Sequence, residues 1–175
     1  KKKDHEPFFN YGLKLDHKHL PEIIYHNKLE LTPIFSPSVG DFIQGMIVSI
    51  PLHFSWFNDK IDTEKIQYIM EEFYSGANFI KVLKKDEGIS DKGYFRPDNL
   101  VGTNCLDISI FGNNDNDQLI ICSRLDNLGK GASGAAIQSM NIALGFEETL
   151  GLEWYNVYMI NDYQKITQEL FPNFS

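Results

Sequence analysis

The sequence predicts an α+β domain with a mostly antiparallel or mixed sheet and helices on one face. Several segments are continuously apolar or alternate between apolar and polar residues, as strands do. Few segments have the period of an amphipathic helix, and the regular strand–helix alternation of a dinucleotide-binding unit is absent. With 175 residues, 42% of them hydrophobic, the chain is long enough to build a core, and we expect residues 1–175 to form a single domain.

The first third of the chain predicts one helix and two strands. The helix runs from Leu20 to Asn27, with Pro21 in the first turn, where a missing N–H costs little. Strands are predicted from Leu29 to Phe35 and from Phe42 to Phe54. Because the second strand is almost continuously apolar, we expect it to be central in the sheet and buried on both faces.

The middle of the chain predicts a second, amphipathic helix. Asp62 or Thr63 can cap it, and it runs to about Tyr74, before Gly76. Its apolar residues have the spacing of one helix face: Ile66, Ile69, Met70 and Phe73.

Three strands and a loop are predicted next. An apolar strand from Phe79 to Leu83 is interrupted by Lys81, and a polar loop follows from Lys84 to Asn99. The strands from Cys105 to Phe111 and from Gln118 to Leu125 are joined by a turn of residues that tolerate positive φ.

The end of the chain predicts two more helices. One runs from Ala132 to Leu144 and is rich in small residues, which permit another element to approach closely. A last helix is predicted from Asp162 to Phe171.

Composition excludes several classes of protein. The net charge of -8 argues against nucleic-acid binding, although one local basic pocket can still hold a small acidic metabolite. Two cysteines, Cys105 and Cys122, are too few for a disulfide framework and indicate a reducing compartment. We find neither a membrane-spanning run nor a signal peptide, and because the sequence starts without Met, we expect a fragment of a longer protein.

The first cluster with chemical potential holds His17, His19 and Glu22. Histidine exchanges protons near neutral pH, and Glu22 lies one helical turn from His19, where it can orient the imidazole. The same spacing also fits a metal site or a solvated start of a helix. A third strong ligand for a metal is missing nearby in the sequence.

The second cluster is the turn from Asp126 to Ala132, between a strand and a helix. Its backbone N–H groups and Lys130 can bind an anion or a carboxamide. The alternative is an ordinary tight turn capped by the aspartate, and the glycine spacing excludes a P-loop.

Three further side chains have two interpretations each. Cys105 can be a nucleophile, but it opens an alternating strand, so we expect it to be a small buried residue, as we expect for Cys122. Lys81 and Arg96 either bind a phosphate or carboxylate of a substrate or lie on the solvent face.

Taken together, these segments resemble the C-terminal part of the N-acetyl-gamma-glutamyl-phosphate reductase family, within the aspartate-semialdehyde dehydrogenase superfamily. The stretch from His17 to Ile23 is similar to the family's His-Arg-His-x-Pro-Glu-Ile, and that from Leu125 to Gly134 to its Asp-Asn-Leu-x-Lys-Gly-Ala-x-Gly. Further similar stretches are Phe79 to Val82, Gly102 to Cys105, Gln138 to Asn141 and Glu148 to Leu152.

The resemblance implies a fold and a reaction. The fold is that of the C-terminal domain of glyceraldehyde-3-phosphate dehydrogenase. The family uses NADPH to reduce an acyl phosphate to the semialdehyde for arginine biosynthesis: a cysteine thiolate displaces phosphate, and hydride then reduces the thioester. His19 or His17 would be the acid–base histidine, with His19 preferred because it lies one helical turn from Glu22.

The resemblance also implies binding partners. Asn127, Lys130 and Gly131 would approach the cofactor NADP, and Lys81 and Arg96 the substrate. The small-residue helix would pack on the protein's own N-terminal nucleotide-binding domain. The protein would be a homodimer or homotetramer in the cytoplasm, or in mitochondria if it comes from a fungus.

Some family features are missing or changed. Neither a Pro-Gly-Cys nucleophile nor a glycine-rich dinucleotide fingerprint occurs, so we expect that this chain alone is inactive and lacks the nucleotide-binding domain. Ser38 and Gln44 depart from the family's pattern, and Lys81 replaces an arginine, which loses the bidentate fork.

Two other functions stay open. The protein can be a paralogue that reduces an aminoadipyl or aspartyl phosphate. It can also be a self-association module without chemistry, because the apolar strand from Gln44 to Phe54 suits a sheet-based interface. The tail from Trp154 to Ser175 extends past the family's usual end and suggests no function.

Overall fold

The computed structural model describes residues 6–152. The chain divides into two compact units, the first ending at Ile43 and the second beginning at Gln44. The helix that the sequence predicts from Asp162 to Phe171 lies outside the described residues.

The first unit contains two short strands and one helix. Strand β1 (Phe8–Asn10) pairs antiparallel with β2 (Ser38–Gly40), and helix α1 (Leu20–Asn27) lies between them in the chain. The helix has the predicted bounds, with proline in its first turn, and ends at Lys28 in the left-handed conformation.

The strand predicted from Leu29 to Phe35 is wrong. These residues form no regular structure, and Leu31 and Ile34 are 84% and 85% exposed. Pro33 lacks the N–H that a paired strand would donate, so the β-like composition of the stretch is not enough to place it in a sheet. The two-stranded sheet of this unit was not predicted, because three-residue strands leave no periodicity to detect.

The second unit is built on a four-stranded mixed sheet, which confirms the predicted α+β class. Its strands are β3 (Met46–Leu52), β4 (Ile80–Val82), β5 (Leu106–Asn113) and β6 (Gln118–Leu125), in the order β3-β6-β5-β4. The β4–β5 pair is parallel and the other two pairs are antiparallel.

Strand β3 lies at an edge of this sheet, so the predicted central, doubly buried position is wrong. Met46, Val48 and Ile50 share one face of the strand and are 37%, 41% and 49% exposed. Pro51 suits an edge, because it donates no ladder hydrogen bond. A continuous apolar run is typical of a buried strand, but it is also expected for an edge strand whose apolar face another surface covers.

Helix α2 (Thr63–Phe73) packs on the sheet as its periodicity predicts. The Asp62 carboxylate caps it by accepting the Lys65 N–H at 2.8 Å. Ile66 is buried in the core of this unit, which also contains Phe54, Ile108, Ile110 and Leu119.

Helix α3 (Gly134–Ala143) follows a single π-helical turn, Gly129–Ser133. The α-helix therefore begins two residues later than predicted, because the Ser133 N–H and hydroxyl both donate to the Leu128 carbonyl, five residues back. Among residues 6–152 we find no helix that is long and apolar enough to cross a membrane.

Candidate functional site

In the first unit, the two predicted catalytic histidines lie in an aromatic cluster. The ring centre of His17 is 4.8 Å from those of His19 and Phe35, and 6.0 Å from that of Tyr11. The His19 N–H donates to His17 Nδ1 at 3.3 Å. With Nδ1 as an acceptor, neutral His17 carries its proton on Nε2.

The same cluster shows how the two histidines differ. His17 is half-buried between rings, whereas His19 is exposed at the N-cap of α1 and Glu22 is exposed in the first turn of that helix. The catalytic roles of these three side chains stay predictions. No group of three or more metal-ligating side chains occurs in the part of the chain that the structure describes.

In the second unit, Asp126 connects three separate segments. Its carboxylate accepts hydrogen bonds from the Gln44 amide at 2.6 Å, the Gly102 N–H at 2.7 Å and the Leu128 N–H at 2.9 Å. Burial of the carboxylate opposes its charge, but the hydrogen bonds outweigh burial and hold the pKa of Asp126 below its ordinary value. This aspartate is therefore ionised and organises the loops around it.

These loops surround a cleft of ≈ 320 Å³. Asn104 lies in its wall, is 3% exposed, and donates from Nδ2 to Gln138 Oε1 at 3.0 Å. The other atom of the amide, Oδ1, has no hydrogen-bond partner among the described residues. The cleft is lined by Gln44, Gly102, Thr103, Asn104, Asp126, Leu128, Gly129, Ser133, Gly134, Ile137, Gly151 and Leu152.

Lys130, a predicted cofactor ligand, is directed into a polar network beside this cleft. Its Nζ donates to Gln138 Oε1 at 2.5 Å and lies 5.6 Å from the centre of the Phe79 ring. Gln138 in turn donates to Glu148 at 2.5 Å. Burial lowers the pKa of Lys130, and the nearby charge of Glu148 opposes that shift.

The other predicted cofactor ligands lie in the same turn. The Asn127 side-chain oxygen accepts the Gly45 N–H at 2.7 Å, and Gly131 donates its N–H to the Asp126 carbonyl at 2.8 Å. These contacts hold the turn against the start of β3. Cofactor binding by Asn127, Lys130 and Gly131 stays a prediction.

The two predicted substrate-binding cations each pair with a carboxylate. Lys81 Nζ lies 2.5 Å from Glu87 Oε1, and Arg96 makes a fork to Asp98 with distances of 2.9 and 2.5 Å. The hydrogen bond from Lys81 is the largest cause that lowers the pKa of Glu87. Substrate binding by Lys81 and Arg96 stays a prediction.

Sequence reasoning missed a buried ion pair between neighbouring strands. Arg124 donates to Asp107 Oδ2 from Nε at 2.8 Å and from its NH2 group at 2.6 Å, and both residues are 2–3% exposed. Arg124 also donates to the Gly88 carbonyl at 2.8 Å and lies 4.6 Å from the Phe95 ring centre. Asp107 and Arg124 are directly opposite each other in the β5–β6 ladder. This pairing could have been predicted by counting residues outward from the turn that joins the two strands.

Sequence reasoning also missed the roles of Asn104 and Gln138. Both occur in stretches that resemble the reductase family, but neither was assigned a contact. No signal in the sequence shows that two amides 34 residues apart meet.

Both cysteines are buried, as predicted. Cys105 is fully buried in a small core with Phe79 and Leu100, and Cys122 is 8% exposed on β6, with its sulfur 3.4 Å from the Ser49 hydroxyl.

The mixed sheet, the histidine segment and the strand–turn–helix around Asp126 define a class of protein, the semialdehyde dehydrogenases. The chain belongs to the family described as "Semialdehyde dehydrogenase, dimerisation domain", which it matches over residues 2–127.

Relatives within this class have more specific names. The chain is 43% identical over 148 residues to N-acetyl-gamma-glutamyl-phosphate reductase 2 of Nostoc sp. (strain PCC 7120), covering 83% of this chain and 46% of the relative. It is 42% identical over 137 residues to N-acetyl-gamma-glutamyl-phosphate reductase of Brucella ovis, covering 78% of this chain and 44% of the relative. The chain thus spans about half the length of the curated relatives that it matches.

Proposed function

We propose that this chain is the acid–base and self-associating part of an NADPH-dependent reductase that converts N-acetyl-gamma-glutamyl phosphate to N-acetylglutamate semialdehyde. One observation carries the proposal: relatives with that name are 42–43% identical over more than three quarters of the chain. The alignment spans about half of each relative, so the nucleophile and most of the cofactor site belong to a nucleotide-binding domain outside the 175 residues.

The histidine cluster supports the acid–base role. We propose His19 as the group that transfers the proton, because its ring is exposed at the start of α1 with Glu22 in the first turn of that helix. His17 stays the alternative, but the lone pair of its Nδ1 is engaged by the His19 N–H, so protonating the ring would break that hydrogen bond.

The site also fits a nicotinamide cofactor in one respect. The cleft of the second unit is lined by glycine backbone and by Asn104, whose amide oxygen has no partner among residues 6–152. A bound nicotinamide cofactor would supply hydride, and the residues that line this cleft would position it.

The test is an assay of the natural gene product that contains this chain. Reduction of NADP by N-acetylglutamate semialdehyde and phosphate is followed at the NADPH absorbance, with the aminoadipate and aspartate semialdehydes as competing substrates. We expect turnover with the N-acetylglutamate compound to exceed the others by at least about a hundredfold, because a site built around polar substrate groups rejects analogues that lack them. Preference for another semialdehyde would contradict the proposed substrate.

Two histidine variants test the proton transfer. We expect His19→Asn to lower kcat by about two to four orders of magnitude and to remove one limb of its pH profile. His17→Asn keeps a side-chain acceptor for the His19 N–H and should lower kcat by less than about tenfold. The reverse result would assign the acid–base role to His17, and small effects of both variants would exclude this cluster from catalysis.

A second part of the proposal is that β3 forms an interface with another copy. Its exposed face is apolar (Met46, Val48 and Ile50), it lies at a sheet edge, and the matching family is described as a dimerisation domain. Light scattering after size exclusion should give a dimer or tetramer, and Val48→Lys should shift it toward the monomer. Phe73→Lys is the matched control, because Phe73 is 77% exposed on α2. A monomeric parent would refute this part.

A further inference from the structure

Two hydrogen bonds connect Lys130 to Glu148 through the side chain of Gln138. Lys130 Nζ donates to Gln138 Oε1 at 2.5 Å, and Gln138 Nε2 donates to Glu148 Oε1 at 2.5 Å. The amide of Gln138 has one orientation that serves both neighbours, because an ammonium group only donates and a carboxylate only accepts. A single oriented amide group therefore separates the cation of Lys130 from the carboxylate of Glu148.

Glu148 is itself held in place by two asparagines. Its second carboxylate oxygen, Oε2, accepts from Asn78 Nδ2 at 2.6 Å. Asn141, which is 2% exposed on α3, donates from Nδ2 to the backbone carbonyls of Glu148 and Leu150 at 3.1 and 2.9 Å. Both the backbone and the carboxylate of Glu148 are thus bonded, and this fixes where its negative charge lies relative to Gln138.

The surroundings of Lys130 disfavour a positive charge. The residue is half-buried, and its Nζ lies 5.6 Å from the centre of the Phe79 ring. Burial is the largest influence on the pKa of Lys130 and lowers it. Two titratable groups among the described residues act in the opposite direction, and the charge of Glu148 raises this pKa more than Cys105 does. Glu148 is therefore the main group that opposes the loss of the proton.

We propose that Glu148 is a positioning residue, which acts through Gln138 to hold the side chain of Lys130 and to keep it positively charged. The inference rests on the proposed function and adds two residues to it, since Lys130 is a side chain predicted to bind the cofactor. NADPH and an acyl phosphate are both anions, so a cation beside the cleft attracts them only while it keeps its proton. Two of the three N–H donors of Lys130 have no partner among the described residues and can meet such an anion.

The first experiment measures how reactive the Lys130 amine is in the natural gene product. Acetic anhydride acetylates only the uncharged form of an amine, and mass spectrometry of the digested protein gives the rate at Lys130. We expect Glu148→Gln to raise this rate at about pH 8 by about threefold or more, because a unit charge separated by one amide group stabilises an ammonium by about that factor even in water. Glu147→Gln removes an exposed carboxylate one residue away and is the matched control, which should leave the rate within about twofold.

A second variant tests whether Glu148 acts through Gln138. Gln138→Leu removes both hydrogen bonds but leaves both charges. We expect the acetylation rate of Lys130 to rise by about threefold or more in this variant too, because the ammonium loses its acceptor. A rate that is unchanged in Gln138→Leu, or in Glu148→Gln, would overturn the inference.

The second experiment determines whether the reaction uses this charge. The ratio kcat/KM for NADP is measured against pH with N-acetylglutamate semialdehyde and phosphate. Lys130 loses its proton as the pH rises through its pKa, and without the charge of Glu148 this pKa is lower. We therefore expect Glu148→Gln to move the alkaline limb of the profile to lower pH, whereas a mere loss of stability would lower activity without moving the limb.

Arginine at position 130 provides the rescue. Because arginine stays charged throughout the assay, the double variant Lys130→Arg/Glu148→Gln should move the alkaline limb back toward that of the parent. A limb that Glu148→Gln leaves in place, or that the double variant does not move back, would overturn the inference.

A measurement on the unaltered protein covers the case that the variants do not fold. Nuclear magnetic resonance follows the side-chain amide of Gln138 and the side chain of Lys130 while the pH is raised. Because Gln138 Oε1 accepts from Lys130 Nζ, we expect both signals to change with the same midpoint. Different midpoints, or an amide signal that does not respond, would overturn the inference.

The outcomes also separate this inference from the proposed function. A higher reactivity of Lys130 in both variants of a protein that does not turn over N-acetylglutamate semialdehyde would keep the link to Glu148 and refute the function. Turnover of that substrate, with the same reactivity of Lys130 in the parent and both variants, would keep the function and refute the inference.

Discussion

Replacing Asp107 by leucine would leave the guanidinium of Arg124 buried without its counter-charge. Leucine has a similar volume, so the change tests charge more than packing. In the native protein, two guanidinium nitrogens lie 2.8 and 2.6 Å from the same carboxylate oxygen, Asp107 Oδ2, as in charge-assisted hydrogen bonds, and both residues are 2–3% exposed.

The expected loss of stability depends on the contacts that Arg124 retains in the variant. Breaking a buried ion pair by removing one partner costs about 3–5 kcal/mol. The Gly88 carbonyl and the face of the Phe95 ring still contact the guanidinium, and such contacts compensate part of the loss. We therefore expect Asp107→Leu to lower the free energy of unfolding by about 3 kcal/mol, at the lower end of that range.

Urea denaturation followed by circular dichroism measures this change. With a slope of about 2 kcal/mol per molar urea, the midpoint should fall by about 1.5 M. The double variant Asp107→Leu/Arg124→Met should recover most of the loss, because it removes both buried charges and also the buried Asp107 Oδ1, which has no partner among the described residues. Arg96→Met, in an exposed pair, is the control and should leave the midpoint unchanged. A single variant as stable as the parent, or a double variant as unstable as the single one, would refute the reasoning.

Two more predictions concern the cleft. Gly134→Ala should lower stability by about 1–3 kcal/mol although alanine favours helices, because its Cβ would lie 2.2 Å from Asn104 Oδ1; a higher Tm would contradict this. The pKa of Asp126 is lowered in the folded protein, so the ionised carboxylate stabilises the fold. This stabilisation is fully present above about pH 4, the ordinary pKa of an aspartate, and is lost as the pH falls through the lower pKa of the folded state. Asp126→Asn should therefore weaken the decline of Tm between about pH 4 and pH 2, and a parallel decline in both proteins would count against that role.

The elements that the sequence predicted well are those that local physics defines. Helix α2 has both a capping aspartate and an apolar face, and β6 was predicted with its observed bounds. The edge position of β3 was not predictable, because it depends on which strands pair with β3 and not on its own run of apolar residues. Local composition likewise gave a wrong strand before Phe35, where no pairing partner exists among the described residues.

The residues of the candidate site also differ in how far local sequence could predict them. The sequence pointed to His17, His19 and the Asp126 turn through local motifs, together with their resemblance to the reductase family. It did not point to Asn104, whose contact with Gln138 depends on how a loop and a helix meet. Asp107 and Arg124 were within reach of sequence reasoning, since both are charged residues on strands joined by a short turn.

The hydrogen bonds of Asp126 have a consequence for how this sequence can change over time. One carboxylate accepts from Gln44 and Gly102, which are distant from it in the chain, and from Leu128 in its own turn. A replacement at position 44 therefore alters the electrostatic balance of a turn more than eighty residues away. Glutamine at position 44 donates a hydrogen bond to Asp126 without adding a positive charge. Because the two side chains bond to each other, we expect substitutions at positions 44 and 126 to co-vary among relatives of this chain.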